Sequence, residues 1–241
     1  MILSTEKMQE ELQGWELPGQ LPESIGGFVK IPGEGIKGQI LSILKYVNEE
    51  QHCSVELTYS SETGDFVPVK TIGLHSFRDV QYFYRDKDDF AEAMVRALPL
   101  IISSIDRSTE HSYSREADDY HFKNWAYGQS LPEKIGSYEL FIRPDNPVSY
   151  INGSYIFLDY TDFAAGNQLC FFYNIYRNEI FAEKKQAYLP VTTNDFTVMN
   201  KPLAKGLKQR TAENRRKDDE SKLIRLESLL QKKLEQTLRE L

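Results

Sequence analysis

The sequence lacks the features that mark secreted or membrane-spanning proteins. Its 241 residues include only two cysteines, Cys53 and Cys170, too few for a disulfide framework. No stretch reaches the roughly 18 consecutive apolar residues that a membrane span requires, and the opening segment has neither the basic nor the apolar region of a secretion signal. We therefore expect a protein of the reducing cytoplasm without a membrane anchor.

Positive charge is scarce outside the C-terminal segment. The net charge is −7, of which residues 202–241 contribute +4, so residues 1–201 carry −11. A surface that binds a nucleic-acid backbone needs local positive potential. The acidic body therefore argues against a nucleic-acid partner, and only the C-terminal segment could supply such a potential.

Catalytic, metal-binding and cofactor-binding motifs are also missing. Gly33, Gly35 and Gly38 are not followed by the Lys-Ser/Thr and the helix of a phosphate loop. Cys53 has His52 beside it, but neighbouring residues of a strand point to opposite faces, which separates a nucleophile from its base. We predict no catalytic residue, no metal and no cofactor.

A histidine cluster in a polar connector is the closest approach to a metal site. It consists of His111, Glu116, Asp118, Asp119 and His121. Imidazole and carboxylate oxygen can share a divalent ion, but this spacing fits no recognised metal motif. A solvated acidic linker is the favoured interpretation, and a metal site is the alternative.

One motif occurs twice in the chain. Trp15 precedes Leu-Pro-Glu-Ser-Ile-Gly at 21–26, and Trp125 precedes Leu-Pro-Glu-Lys-Ile-Gly at 131–136, 110 positions later. The spacing is about the length of one small domain, which indicates a duplicated unit.

The duplication predicts an α+β protein of two similar antiparallel-sheet units with flanking helices. The units cover residues 1–110 and 111–202, and a helical tail covers residues 203–241. In each unit, hydrophobic periodicity predicts an opening helix, the motif, four or five strands and a closing helix.

Local signals predict the bounds of several elements in the first unit. A helix is predicted over residues 5–15 with Thr5 as its cap, and a strand over residues 53–59 alternates apolar and polar side chains. A second helix follows Asp88, and Pro99 should break or kink it.

The second unit carries matching signals. Asn152-Gly153 predicts a two-residue type I′ hairpin. Cys170 is matched to Cys53 in the central hairpins, and Asp195-Phe196 is matched to Asp89-Phe90 at the start of the closing helices.

The repeated motif is interpreted as the device that opens the first strand of each unit. Proline stiffens the approach, the leucine and isoleucine face the core, and the glycine allows the bend. The alternative is a functional role, with Glu23 and Glu133 as an acid/base pair.

In element order and in this Leu-Pro-x-x-Ile-Gly approach, each unit resembles the Mog1p/PsbP-like group. The resemblance implies an antiparallel sheet flanked by helices. Because members of that group are binding or assembly factors of unrelated kinds, it implies no particular function or site residue.

Two apolar features are candidate interaction surfaces. Aromatic residues are dense in the second unit, where Tyr155, Phe157 and Tyr173 lie on strands that send alternate rings to opposite faces. In the tail, a leucine stripe with helical spacing consists of Leu223, Leu226, Leu230 and Leu234.

These features favour a non-enzymatic protein-interaction or assembly module. The partner is another protein, or a second copy bound through the C-terminal helix. The alternative is an enzyme or small-ligand binder that uses a cleft between the two units.

Overall fold

The computed structural model describes residues 2–108, 128–177 and 179–185, which form two antiparallel sheets and three α-helices. The helices are α1 (Thr5–Glu11), α2 (Leu17–Gln20) and α3 (Lys87–Ser103). The first sheet contains β1 (Ser24–Ile25), β2 (Phe28–Lys37), β3 (Ile40–Asn48), β4 (Cys53–Ser60), β5 (Asp65–Ile72) and β6 (His75–Arg78). The second sheet contains β7 (Lys134–Ile135), β8 (Tyr138–Ile142), β9 (Val148–Ser149), β10 (Ser154–Asp162), β11 (Asn167–Asn174) and β12 (Glu179–Lys185).

The first sheet is a meander in which β1 to β6 pair in chain order, and the second has the order β12-β11-β10-β8-β7 with β9 beside β10. All of these pairs are antiparallel. The predicted mixed class with antiparallel sheets is therefore confirmed. The predicted second closing helix and the tail from residue 203 lie outside the described residues.

Both copies of the repeated motif open a sheet with the same backbone geometry. Gly26 and Gly136 have φ of 59° and 60°, values that favour glycine, and each glycine turns a two-residue strand into the next strand. The Tyr46 hydroxyl donates to the carbonyl of the proline in the first copy. The Tyr160 hydroxyl does the same in the second copy, at 2.8 Å. This geometry supports the structural interpretation of the motif.

The first sheet buries one face against its helices. Phe90, Met94 and Leu98 recur every four residues along α3 and are fully buried, as the helical period predicts. The ring of Phe90 lies 5.4 Å from that of Phe66 on β5, and Met8 of α1 joins the same cluster. Burial of each such side chain contributes about 1.5–3 kcal/mol.

Two predicted details of α1 are wrong, and α3 does not break at its proline. The cap of α1 is Ser4 rather than Thr5, because the Ser4 hydroxyl accepts from the Lys7 N–H. That helix ends at Glu11, so Trp15 lies beyond it. Pro99 lies inside α3, which continues to Ser103, because the helix is held by its packed face.

The strand β2 contains a proline and an irregularity. It continues to Lys37 across a register shift after Pro32. A Cβ on Gly33 would lie 2.4 Å from the Ser42 carbonyl oxygen, so only glycine allows this close approach.

The predicted hairpin in the second unit is confirmed. Asn152 and Gly153 have φ of 53° and 70°, and the Ser154 N–H donates to the Ile151 carbonyl at 3.0 Å across them. These are the features of a type I′ turn.

The two cysteines lie on corresponding strands, as predicted, but not at corresponding positions along them. Tyr46 pairs with Val55 in the first sheet, and Tyr160 pairs with Leu169 in the second. Cys53 therefore lies two residues before the partner of its tyrosine, whereas Cys170 lies one residue after the equivalent partner.

Candidate functional site

Residues that could carry a function lie in two regions of the second sheet, its outer face and its junction with the first sheet. The inner face of the sheet contacts the first sheet, and the outer face is the opposite side. The leucine stripe of Leu223, Leu226, Leu230 and Leu234 lies outside the described residues.

The outer face carries an apolar cluster. Cross-strand register and alternation place Leu158, Tyr160, Leu169, Phe171 and Tyr173 on this side, and all five are buried. The partly buried side chains of Leu140, Ile180 and Ala182 border them.

The three aromatic residues singled out by the sequence belong to this side of the second sheet. Tyr155 pairs with Tyr173, so the two residues share the outer face. Phe157 lies where the β10–β11 register shifts, and its buried ring belongs to the same cluster. Phe157 and Tyr173 are fully buried and Tyr155 is half-buried. Their role as an interaction surface stays a prediction.

The junction between the sheets is filled by aromatic side chains from both. His52, with φ of 50°, stacks on Phe163 at 3.7 Å between ring centroids, and Phe141 packs edge-on against both. His75 packs edge-on against Phe172 at 5.7 Å. These contacts join the two sheets through apolar side chains that include aromatic residues of the second sheet.

A buried carboxylate lies within this junction. Asp159 on β10 is fully buried and accepts from the Thr161 hydroxyl at 2.7 Å and the Cys170 thiol at 2.9 Å. The Gln168 amide also donates to it, while the Gln168 Oε1 accepts from the Leu74 N–H at 3.1 Å. Gln168 thus connects the carboxylate to the backbone of the first sheet.

The junction also contains a cation, Arg107, from the segment that follows α3. The Arg107 guanidinium donates to the Phe141 carbonyl and lies 4.1 Å above the Phe141 ring. Burial lowers the pKa of Arg107, and Asp159 partly opposes that shift. The Arg107 N–H donates to the Gln51 side chain at 2.7 Å, which fixes the backbone at this point.

The surroundings of the two cysteines near this junction are those of structural residues. Burial raises the pKa of Cys53 to about 12, so its thiol stays neutral at physiological pH. The Cys170 thiol is buried and donates to Asp159. Neither group has the exposed, electropositive setting of a reactive thiolate, which supports the interpretation of both cysteines as core residues.

The repeated glutamates each pair with a cation of their own sheet. Glu23 lies 2.7 Å from Lys30, and Glu133 pairs with Arg143. Both carboxylates are largely exposed, at 87% and 72% for the side chain. This arrangement supports a structural role rather than a shared acid/base site.

An open cleft of about 540 Å³ lies on the first unit, away from the junction. Trp15, Leu17 and Val95 provide its apolar lining, and acidic and basic side chains of α1 and α3 surround them. Arg96 at its rim is already paired with Glu92 at 3.2 Å.

No metal-binding cluster of three or more His, Cys, Asp or Glu side chains occurs within residues 2–108, 128–177 and 179–185. The predicted connector cluster from His111 to His121 falls outside these ranges. In the same described part of the chain, no helix is long and apolar enough to span a membrane.

Asp159, Gln168 and Arg107 were not predicted from the sequence. One signal was available: Asp159 is the only acid within the apolar run from Tyr155 to Tyr160, and alternation places it on the opposite side from Leu158 and Tyr160. A buried acid needs partners. Those partners come from β11 and from the end of α3, which local sequence patterns do not place together.

Comparisons of the chain with protein-family models, with curated proteins and with solved structures found no match. The resemblance to the Mog1p/PsbP-like group stays an expectation about the fold.

Proposed function

We propose that the protein is a non-enzymatic protein-interaction module that assembles with a second copy of itself. The contact joins the outer face of the second sheet to the leucine stripe of the C-terminal tail.

The composition of the outer-face cluster carries this proposal. Within the described residues, none of its members comes from a helix, whereas α1 and α3 both contribute to the cluster of the first sheet. A sheet face of this apolarity needs a second layer. Phe171, Tyr160 and Tyr173 are already buried within the chain itself. The half-buried side chains of Tyr155, Leu140 and Ile180 are the part of this face that a second copy can contact.

The leucine stripe has suitable dimensions for that layer. Eleven residues separate Leu223 from Leu234, and at about 1.5 Å per residue a helix would carry the stripe across about 17 Å. Four neighbouring strands, about 4.8 Å apart, span about 14 Å. One helix can therefore cover β8, β10, β11 and β12.

The position of the stripe in the chain favours exchange between copies. Residues 186–222 separate it from the end of β12, a length that can reach its own sheet or that of a neighbour. Exchange of an identical element is a low-cost route to a dimer. Glu227, Glu235 and Glu240 dilute the positive charge that an anionic membrane would attract.

Sedimentation equilibrium and thermal unfolding of four proteins test the proposal: the full chain, two point variants and a deletion of residues 221–241. We expect the full chain to be dimeric, Leu230→Asp to be monomeric, and the matched control Ser228→Asp to remain dimeric. In the proposed helix, the helical period would place position 228 on the face opposite the stripe. A monomeric full chain that loses stability on deletion of 221–241 would mean that the stripe covers its own sheet. An unchanged mass and stability after that deletion would contradict both arrangements.

The alternative of a ligand cleft between the units has less support. Phe141, Phe163 and Gln168 occupy the described junction, and a Cβ on Gly73 would lie 2.8 Å from Phe141. The open cleft near Trp15 is elsewhere on the molecule.

A further inference from the structure

We propose that the contact between the two sheets is proton-sensitive: Asp159 in its neutral form holds the junction closed, and ionisation of Asp159 favours its opening. This inference concerns the junction and does not depend on the proposed self-association.

Asp159 is hydrogen-bonded to Gln168, the residue that links the two sheets. Gln168 donates its Nε2–H to Asp159 and presents its Oε1 to the Leu74 N–H of the first sheet. The carboxylate thus fixes which end of the Gln168 amide faces the first sheet. In the neutral acid, the added O–H can donate to the Thr161 hydroxyl, which lies 2.7 Å from Oδ1 and can act as an acceptor.

Arg107 compensates only part of the cost of a charge at this position. Its guanidinium is already engaged with the Phe141 carbonyl and ring. The remaining titratable or charged groups around the junction are His52, Cys53, His75, Asp106, Arg143, Tyr150, Cys170 and Glu183. Glu183 is itself an acid, so it cannot compensate a negative charge on Asp159. Burial raises the pKa of Glu183 as well.

The burial of Asp159 dominates its electrostatics. Burial raises the pKa of Asp159 from its usual 3.8 to about 6, although the bonds from Cys170, Thr161 and Gln168 and the charge of Arg107 oppose the shift. Opening the junction hydrates the carboxyl and returns its pKa toward the usual value.

The sign of the pH effect follows from this difference. Because the closed state binds the proton more tightly, its added stability is fully present below about pH 4 and is lost as the pH rises through about 6. The difference of about two pKa units corresponds to a roughly hundredfold increase in the opening equilibrium between these limits.

Amide hydrogen exchange of Leu74, measured by NMR from pH 4 to pH 7.5 on the full chain, tests the proposal. After correction for intrinsic exchange, we expect its protection factor to fall about a hundredfold over this range. Amides within β4, such as that of Leu57, should change much less because they do not cross the junction. A Leu74 protection factor that is independent of pH, or that changes in parallel with that of Leu57, would overturn the proposal.

Two variants separate Asp159 from the other groups. Asp159→Asn should remove the pH dependence while keeping both histidines, and the matched control Asp162→Asn, on the same strand, should retain it. If Asp159→Asn does not fold, Arg107→Gln provides a second measurement: loss of the cation should move the midpoint of the Leu74 profile to higher pH. An unmoved midpoint, or equal pH dependence in Asp159→Asn and the native chain, would contradict the proposal.

Discussion

The two sheets share a strand framework but differ in how far the second face of each is covered. In the first sheet one face packs against α1 and α3, and the other is buried at Thr58 and Val67 but leaves Val29 56% exposed. In the second sheet, Phe172 and Tyr173 are consecutive residues on opposite faces, and both are buried. The difference shows that the surroundings of a sheet follow from the chemistry of each face, because the pairing of the strands is compatible with either arrangement.

The residues that precede Tyr46 and Tyr160, the two tyrosines bonded to the prolines of the repeated motif, illustrate this difference between the sheets. The residue before that tyrosine is Lys45 in the first sheet and Asp159 in the second, and their cross-strand partners are Glu56 and Cys170. Lys45 and Glu56 are only half-buried, so their charges stay in contact with water and cost little. An acid facing a thiol is found here inside a junction, where hydrogen bonds must replace its hydration.

The comparison is tested most strongly at Phe141 and Ile31, which occupy corresponding positions 110 residues apart. Phe141 is 6% exposed within the junction, whereas Ile31 is 41% exposed. We expect Phe141→Ala to lower the free energy of unfolding by about 3–5 kcal/mol, through lost transfer energy and a cavity. Ile31→Ala should cost about 1 kcal/mol or less. Urea unfolding measures both, and similar losses would show that the two faces have similar surroundings.

A smaller and equal effect is expected at the tyrosines that bond the repeated prolines. Tyr46→Phe and Tyr160→Phe each remove one hydroxyl that donates to a proline carbonyl. Each should lower the free energy of unfolding by about 1 kcal/mol, the typical net value of a buried hydrogen bond. Chemical denaturation of the two variants checks this. A loss confined to one tyrosine would mean that the motif does not act alike in the two units.

The smallest effect is expected at the repeated glutamates. Glu23→Gln and Glu133→Gln each remove one partner of a largely exposed ion pair, which contributes about 0–1 kcal/mol. Thermal unfolding at low and high salt should show shifts of a few degrees at most, reduced by salt. A large loss at either position would contradict the structural interpretation of the motif.

Features that depend on a few adjacent residues were predictable. Asn152-Gly153 predicts its own turn because both residues tolerate positive φ. The face of α3 that carries Phe90, Met94 and Leu98 follows from the helical period. The break predicted at Pro99 was wrong, because tertiary packing of that face outweighed a local preference.

The candidate site depended on distant residues. Asp159, Gln168 and Leu74 meet only when the second sheet packs on the β5–β6 turn of the first, and their separation in the chain leaves no periodic signal. The offset between Cys53 and Cys170 along their corresponding strands has a related cause, since residue type alone does not report cross-strand register.

The sequence by itself determined the antiparallel α+β class, the two strand-opening motifs and the hairpin at Asn152-Gly153, because short-range sterics and periodicity control each of them. Only the tertiary structure decided which face of each sheet is covered and that Asp159 lies buried beside Arg107. Those outcomes depend on contacts between segments far apart in the chain, whose free energies are realised only when complementary surfaces pack together.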